Sequence, residues 1–468
     1  AVPRLESPMV ALSERKIAIV RTLVESAPDR VVGRLQEALV DSAGDTVLAG
    51  VRRLVEIEAA DRRLRNAILR PIAPMCVGDG ADDRRLTFPA RALPHLWHGL
   101  RDVAPDVIAD LETMVEDEDF EETAGRSFDA LTRLAAGALR AREQRDFLVA
   151  SELCDRVRPG GADALAACID LAPIVRKTLT RLPDWIGHSG EDTAAASRIA
   201  YKDAVAISED AGPRFFEMIA AQLSPTWMVL RVISSVMDKP TERYLADSEA
   251  GGFGERVMSE IDDALVAISK LDMDAGPGAG RKAGRLVELI AHQTMELEAC
   301  IELDRDHGWG HRIVNQRKSL ANLVEGCLRE AEKMAAVALP TEMAGKQRMH
   351  RKLPRLTVAP EHRAVVRAMT LLGFTQEIRV SASYAGFSAA HSRALENIGA
   401  MLDHYIEDVL DHIKTGDAPD LSIAEAYLGV AADFFQLVRD EKTAALIRRR
   451  AASACHGEGS AHGDAQAG

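Results

Sequence analysis

Aromatic residues are scarce. Phe, Trp and Tyr together make up 4% of the 468 residues, so a core has to be built from Leu, Val, Ile, Ala and Met. Lysine is thin beside arginine, at 12 against 46. Cysteine occurs six times, at Cys76, Cys154, Cys168, Cys300, Cys327 and Cys455. No two of these form a CxxC pair, and none stands at zinc-finger spacing with a histidine pair. That excludes a disulfide scaffold and reads as reduced thiols in the cytosol. No uninterrupted apolar run approaches the ~18 residues of a spanning helix. The apolar window 227–237, for example, contains Arg231. Residues 1–7 lack the basic flank and apolar stretch of a signal peptide, so a cytoplasmic location is expected. Positive charge is outweighed, 58 basic residues against 72 acidic, for a net charge of −14. Such a field disfavours nonspecific binding to DNA or to an anionic membrane, without excluding a local basic site.

What is present is an ordinary globular balance, 47% apolar and 28% charged. Apolar residues recur at three- and four-residue spacing through most of the chain, the period of half-buried helices. The expected fold class is therefore all-α, a dozen or more helices in packed subdomains with little or no strand. Residues 378–384 and 355–358 carry only faint alternation. Helix starts are signalled at Ser26-Ala-Pro-Asp29 and at Ser224-Pro225. Long helices are predicted over 45–70 and, with a break, over 120–157. Glycine density predicts a turn at Gly251–Gly254 and an irregular linker over 274–284. Helices over 361–381, 387–414 and 422–450 with short connections predict a C-terminal three-helix bundle. The segments read as an N-terminal helical part (1–70), a linker (71–94), a central helical domain (95–338), a basic connector (339–360), the bundle (361–450) and a disordered tail (451–468).

Several constellations resemble chemical sites. His307-Gly-Trp-Gly-His311 follows Glu302, Asp304 and Asp306. Its glycines free the backbone to turn, so His307 and His311, with Glu302 or Asp306, form the candidate metal site. His404, Asp408 and His412 share a helix face, as do Glu288, His292 and Glu296, but helical-wheel geometry puts both trios on solvated faces away from the core. Gly276 to Lys282 has the glycines of a phosphate loop, yet Lys282 is followed by Ala283 where a Walker motif needs Ser or Thr. The basic connector carries Lys346, Arg348, Arg351, Lys352 and Arg355, the candidate anion- or partner-binding residues, with Arg363 and Arg367 beyond them. Its counter-charge could be a partner or the chain's own acidic run over 110–122. Few aromatics accompany it, so base stacking lacks a platform.

These readings favour a noncatalytic adaptor, scaffold or regulator that binds other proteins. Homo-oligomers are a further expectation, from Leu428, Phe434, Phe435 and Leu437. The sequence leaves the cofactor open. The alternatives are an all-helical enzyme whose histidines and carboxylates converge from distant helices, and a nucleic-acid-associated factor using the basic connector. Nucleic acid is the less favoured partner.

Overall fold

The computed structural model describes residues 14–39, 46–78, 84–115, 117, 119–187, 190–237, 239–344 and 351–456. Over these residues the chain is all-α, with 22 α-helices and only two short strand pairs. It divides into two compact units, Ala1–Lys239 and Pro240–Gly468. That division falls inside the 95–338 segment that the sequence reads as one domain. The reason is visible in the second unit's core. Ala331, Ala335 and Ala338, at the end of the Gly308–Ala338 helix, and Leu356 of the connector pack with the C-terminal helices. The connector is thus built into a unit and does not separate two.

In the first unit the Thr46–Leu69 helix supports the helices Glu14–Ser26 and Asp29–Leu39 on a small core of Val24, Val32, Val55 and Ala59. Ser26, read as a cap for the second helix, instead closes the first, its hydroxyl donating to the Leu23 carbonyl. Arg62 ties the three helices together. It is 6% exposed. Its guanidinium donates to the carbonyls of Val24, Glu25 and Ala27, which end the first helix, and to Asp29 and Glu58. Helix C-terminal carbonyls need such donors, and a cation there also suits the dipole. Arg62→Met keeps the apolar stem and removes all five bonds. It is expected to destabilise the 14–39 helices by about 2–3 kcal/mol. Amide hydrogen exchange checks this: residues 14–39 should lose protection, and unchanged protection there would refute it.

The rest of the first unit stacks the helices Ala92–Val103, Gly125–Ala141, Arg145–Val157 and Gly161–Leu179. The break expected within 120–157 falls at Arg142, which adopts a left-handed φ of 54° and ends its helix. The 71–94 linker contains a parallel pair, Cys76–Val77 with Phe88–Pro89.

In the second unit two glycine-rich segments correct the sequence reading. Gly251 to Gly254 is no turn; it opens the Gly251–Ser269 helix. The 274–284 segment is mostly the first two turns of the Pro277–Cys300 helix. Two of its glycines, Gly280 and Gly284, are there for packing. A side chain at Gly284 would come within 2.6 Å of Glu377 Cβ, and one at Gly373 within 2.6 Å of the Pro277 carbonyl oxygen. Glycine lets two backbones approach closely, and here that advantage outweighs its poor helix propensity.

The expected C-terminal helices are present as His362–Glu377, Ser388–Thr415 and Leu421–Val438. The residues with faint strand alternation, 378–384, turn into a short helix, Ser381–Tyr384. The third helix stops at Val438, and a further one runs Glu441–His456. No glycine or proline marks this break. Arg439 leaves the helix to pair with Asp403 at 2.7 Å and lies over the Phe435 ring, while Asp440 accepts from the Thr443 amide at 2.7 Å. The tail read as disordered from 451 is therefore helical to His456; residues 457–468 lie outside the described residues. Asp420, and not Ser422, caps the Leu421–Val438 helix. That helix is the only one among the described residues long and apolar enough to cross a membrane, and half of it is buried in the unit. Leu428, Phe434, Phe435 and Leu437 sit in this same core, so they are not a face for oligomer contacts.

Candidate functional site

The basic connector folds as an antiparallel hairpin. Thr341–Ala344 pairs with Arg351–Pro354, Met343 standing opposite Lys352 and Glu342 opposite Leu353. Pro354 is buried, and Leu356 beyond it enters the core. The inner strand is thereby seated on the unit, while Thr341, Glu342 and Met343 of the outer strand are exposed. No third strand joins this pair among the described residues. The outer edge therefore presents backbone N–H and C=O groups of the kind that accept an added strand.

The candidate cations separate into groups. Arg363 and Arg367 both grip Asp274, at 2.9 and 2.7 Å. Their hydrogen bonds hold the Asp274 carboxyl well below the usual carboxylate range. The counter-charge is thus in the same unit, and it is not the 110–122 run. That run belongs to the first unit, where Glu112 pairs with Arg101 and Glu121 with Arg70. Lys352 and Arg355 are exposed and make no side-chain hydrogen bond or ion pair among the described residues. Arg355 lies near Tyr427, whose phenol burial pushes up and Arg355 pulls back. Lys346 and Arg348 lie outside the described residues. Arg351 is placed only by its backbone, in the inner strand.

The His307–His311 turn does something other than hold a metal. His307 is 83% exposed on its side chain and faces Asp304 at 3.5 Å. His311 is exposed, with Asn315 at 3.4 Å. Glu302 joins a backbone bridge to Thr241. Between the histidines, Gly308 and Gly310 wrap the carboxylate of Glu242. Its oxygens accept from the amides of Asp304 (3.1 Å), Trp309 (2.5 Å) and Gly310 (3.1 Å). This is an anion site at a helix N-terminus, occupied by the chain's own side chain. Trp309 continues the staple: its indole donates to Glu255, and its ring packs on Gly254. Arg312 then reaches Glu255 and Asp262. The glycines and tryptophan that suggest metal chemistry in sequence are used to fasten the Gly308–Ala338 helix. Among the described residues there is no group of three or more His, Cys, Asp or Glu side chains arranged for a metal ion.

Each histidine–carboxylate trio keeps one member inside. Asp408 is 4% exposed, against the solvated face read from the sequence, with His404 at 3.4 Å and the His412 ring against its own carbonyl at 2.7 Å. Glu296 is 5% exposed and accepts from the Cys300 thiol. His292 is exposed and stacks on Tyr384. A single-stripe wheel fails for both helices because each is packed on more than one side. Burial pushes the Cys76, Cys154 and Cys168 thiols up to about 12, so none of the three is a ready nucleophile at neutral pH.

Glu242 and Asp274 were missed by sequence reasoning. Both act on backbone or charge partners more than sixty residues away, and neither stands in a motif. Comparison with protein families, curated proteins and solved structures returned no match.

Proposed function

We propose that the chain is a noncatalytic helical interaction protein of a reducing cytosol, and that it takes an acidic, extended segment of a partner protein at the 341–354 hairpin. One observation carries the reading: the outer strand, exposed at Thr341, Glu342 and Met343, lies beside Lys352 and Arg355, two cations with no side-chain partner among the described residues, in a chain of net charge −14. Strand addition would supply affinity through main-chain hydrogen bonds, and the cations would select an acidic sequence. Six free cysteines fit the compartment.

The test is fluorescence anisotropy of a labelled peptide of alternating Glu and Val, with full-length protein. Binding should weaken about tenfold in the K352E/R355E double variant, two exposed charges reversed, and should fall with salt. On binding, amides of 341–344 should gain exchange protection. Binding unchanged by the double variant refutes the reading. So does tighter binding of a single-stranded oligonucleotide of equal charge, which would select the nucleic-acid alternative.

A further inference from the structure

The first unit holds a groove of about 900 Å³ between the helices Phe120–Thr123, Gly125–Ala141, Gly161–Leu179, Leu182–Gly187 and Glu191–Val205. That volume is at the upper end of small-molecule sites. One wall is apolar: Phe128, Ile174, Leu179, Trp185 and Ile199. Ile199 is 62% exposed, although it is a large aliphatic side chain at the opening. Trp185 is 7% exposed; its indole N–H makes no hydrogen bond among the described residues, and that nitrogen is still reached by solvent.

The charges of the groove are of two kinds. Arg70 is neutralised by Glu121 at 2.5 Å. Arg176 faces Asp129 at 3.7 Å, lies 5.0 Å over the Phe128 ring, and donates to the Ala67 and Ile68 carbonyls. These two pairs build the wall. Arg126, Lys177 and Arg181 are different: all three are exposed, and none makes a side-chain hydrogen bond or ion pair among the described residues. Among the described residues lining the groove, only Glu122 and Asp203 stand unpaired against them. The groove is left with an excess of one positive charge in a chain of net charge −14.

We infer that this groove binds a small amphiphilic organic anion, with one carboxylate or sulfonate head and an apolar body of about ten or more carbons. The head meets Arg126, Lys177 and Arg181; the body covers Trp185 and Ile199, and an acceptor on it takes the indole N–H. A polyphosphate is not the fit, because the excess charge is single and the remaining wall is apolar. The site lies wholly in the first unit and is independent of the hairpin in the second.

The test uses 8-anilinonaphthalene-1-sulfonate with the full chain. One saturable site is expected, with fluorescence enhanced. R126Q/K177Q/R181Q should weaken it about tenfold, three exposed charge contacts of modest individual strength. The uncharged analogue N-phenyl-1-naphthylamine should change less than twofold. Decanoate or naphthalene-2-carboxylate should displace the sulfonate, which tells an acyl ligand from an aromatic one, and decanol should not. Failure of both acids to compete overturns the inference, as does an unchanged sulfonate affinity in the triple variant. Hydrogen exchange on the wild type guards against a variant that misfolds. Decanoate or naphthalene-2-carboxylate should protect amides of the 161–187 and 191–205 segments, and protection confined elsewhere would overturn the assignment.

Discussion

Replacing Gly280 by alanine is expected to destabilise the second unit by about 3 kcal/mol or more. On an isolated helix the same change would stabilise, because alanine is the better helix former by about 1 kcal/mol. The sign is reversed by packing. A methyl group at Gly280 would lie 2.8 Å from the Phe374 nitrogen and closer still to the Thr370 carbonyl oxygen. Both are backbone atoms of the His362–Glu377 helix, and neither can turn aside as a side chain would. Gly278 is the internal control. It is in the first turn of the same helix, and a methyl group there would meet nothing within 4 Å. G278A should stabilise by about 0.4–1 kcal/mol. Urea unfolding of the two variants measures both values. A G280A protein as stable as the wild type would mean that the two helices do not touch through their backbones.

The second large effect concerns Glu242. Removing its carboxylate in E242A leaves three amides, of Asp304, Trp309 and Gly310, without their acceptor. Hydrogen bonds to charged groups are worth more than neutral ones, and the expected loss is about 3 kcal/mol. Gly308 adds a sharper test. Its φ is +54°, which a side chain rarely adopts, and an added methyl group would overlap a Glu242 carboxylate oxygen. G308A is therefore destabilising in the wild type and less so in E242A, where the obstructing oxygen is gone and only the cost of the positive φ remains. A double-mutant cycle followed by tryptophan fluorescence should show non-additivity of about 1 kcal/mol or more. Simple additivity would show that the carboxylate does not occupy the turn.

These two positions also show where the sequence is legible and where it is not. Helical periodicity and proline punctuation place Thr46–Leu69 within one residue, since Pro71 and the apolar stripe are local signals. Glycine is read wrongly at Gly254, Gly280 and Gly284 for one reason. Its local meaning is a break, but its tertiary meaning is room for a neighbour, and the neighbour is far off in sequence. The wheel fails at Asp408 and Glu296 for a related reason: it assumes one buried stripe, and these helices have neighbours on several sides. The basic connector is legible as charge. That it is a hairpin, and that Asp274 takes the two arginines just beyond it from 89 and 93 residues away, is not. The groove in the first unit leaves no local signature, because five helices contribute to it.

The close crossing of the Pro277–Cys300 and His362–Glu377 helices has a consequence for synthesis. Thr370 donates its hydroxyl to the Met273 carbonyl, 97 residues earlier in the chain. At translation rates of roughly 5–20 residues per second, the first helix leaves the ribosome roughly 5–20 seconds before its partner. During that interval its glycine face is bare. Two glycines a turn apart offer passing apolar chains little side-chain surface to grip, so the feature that makes the crossing tight also makes the waiting helix a poor target for wrong partners.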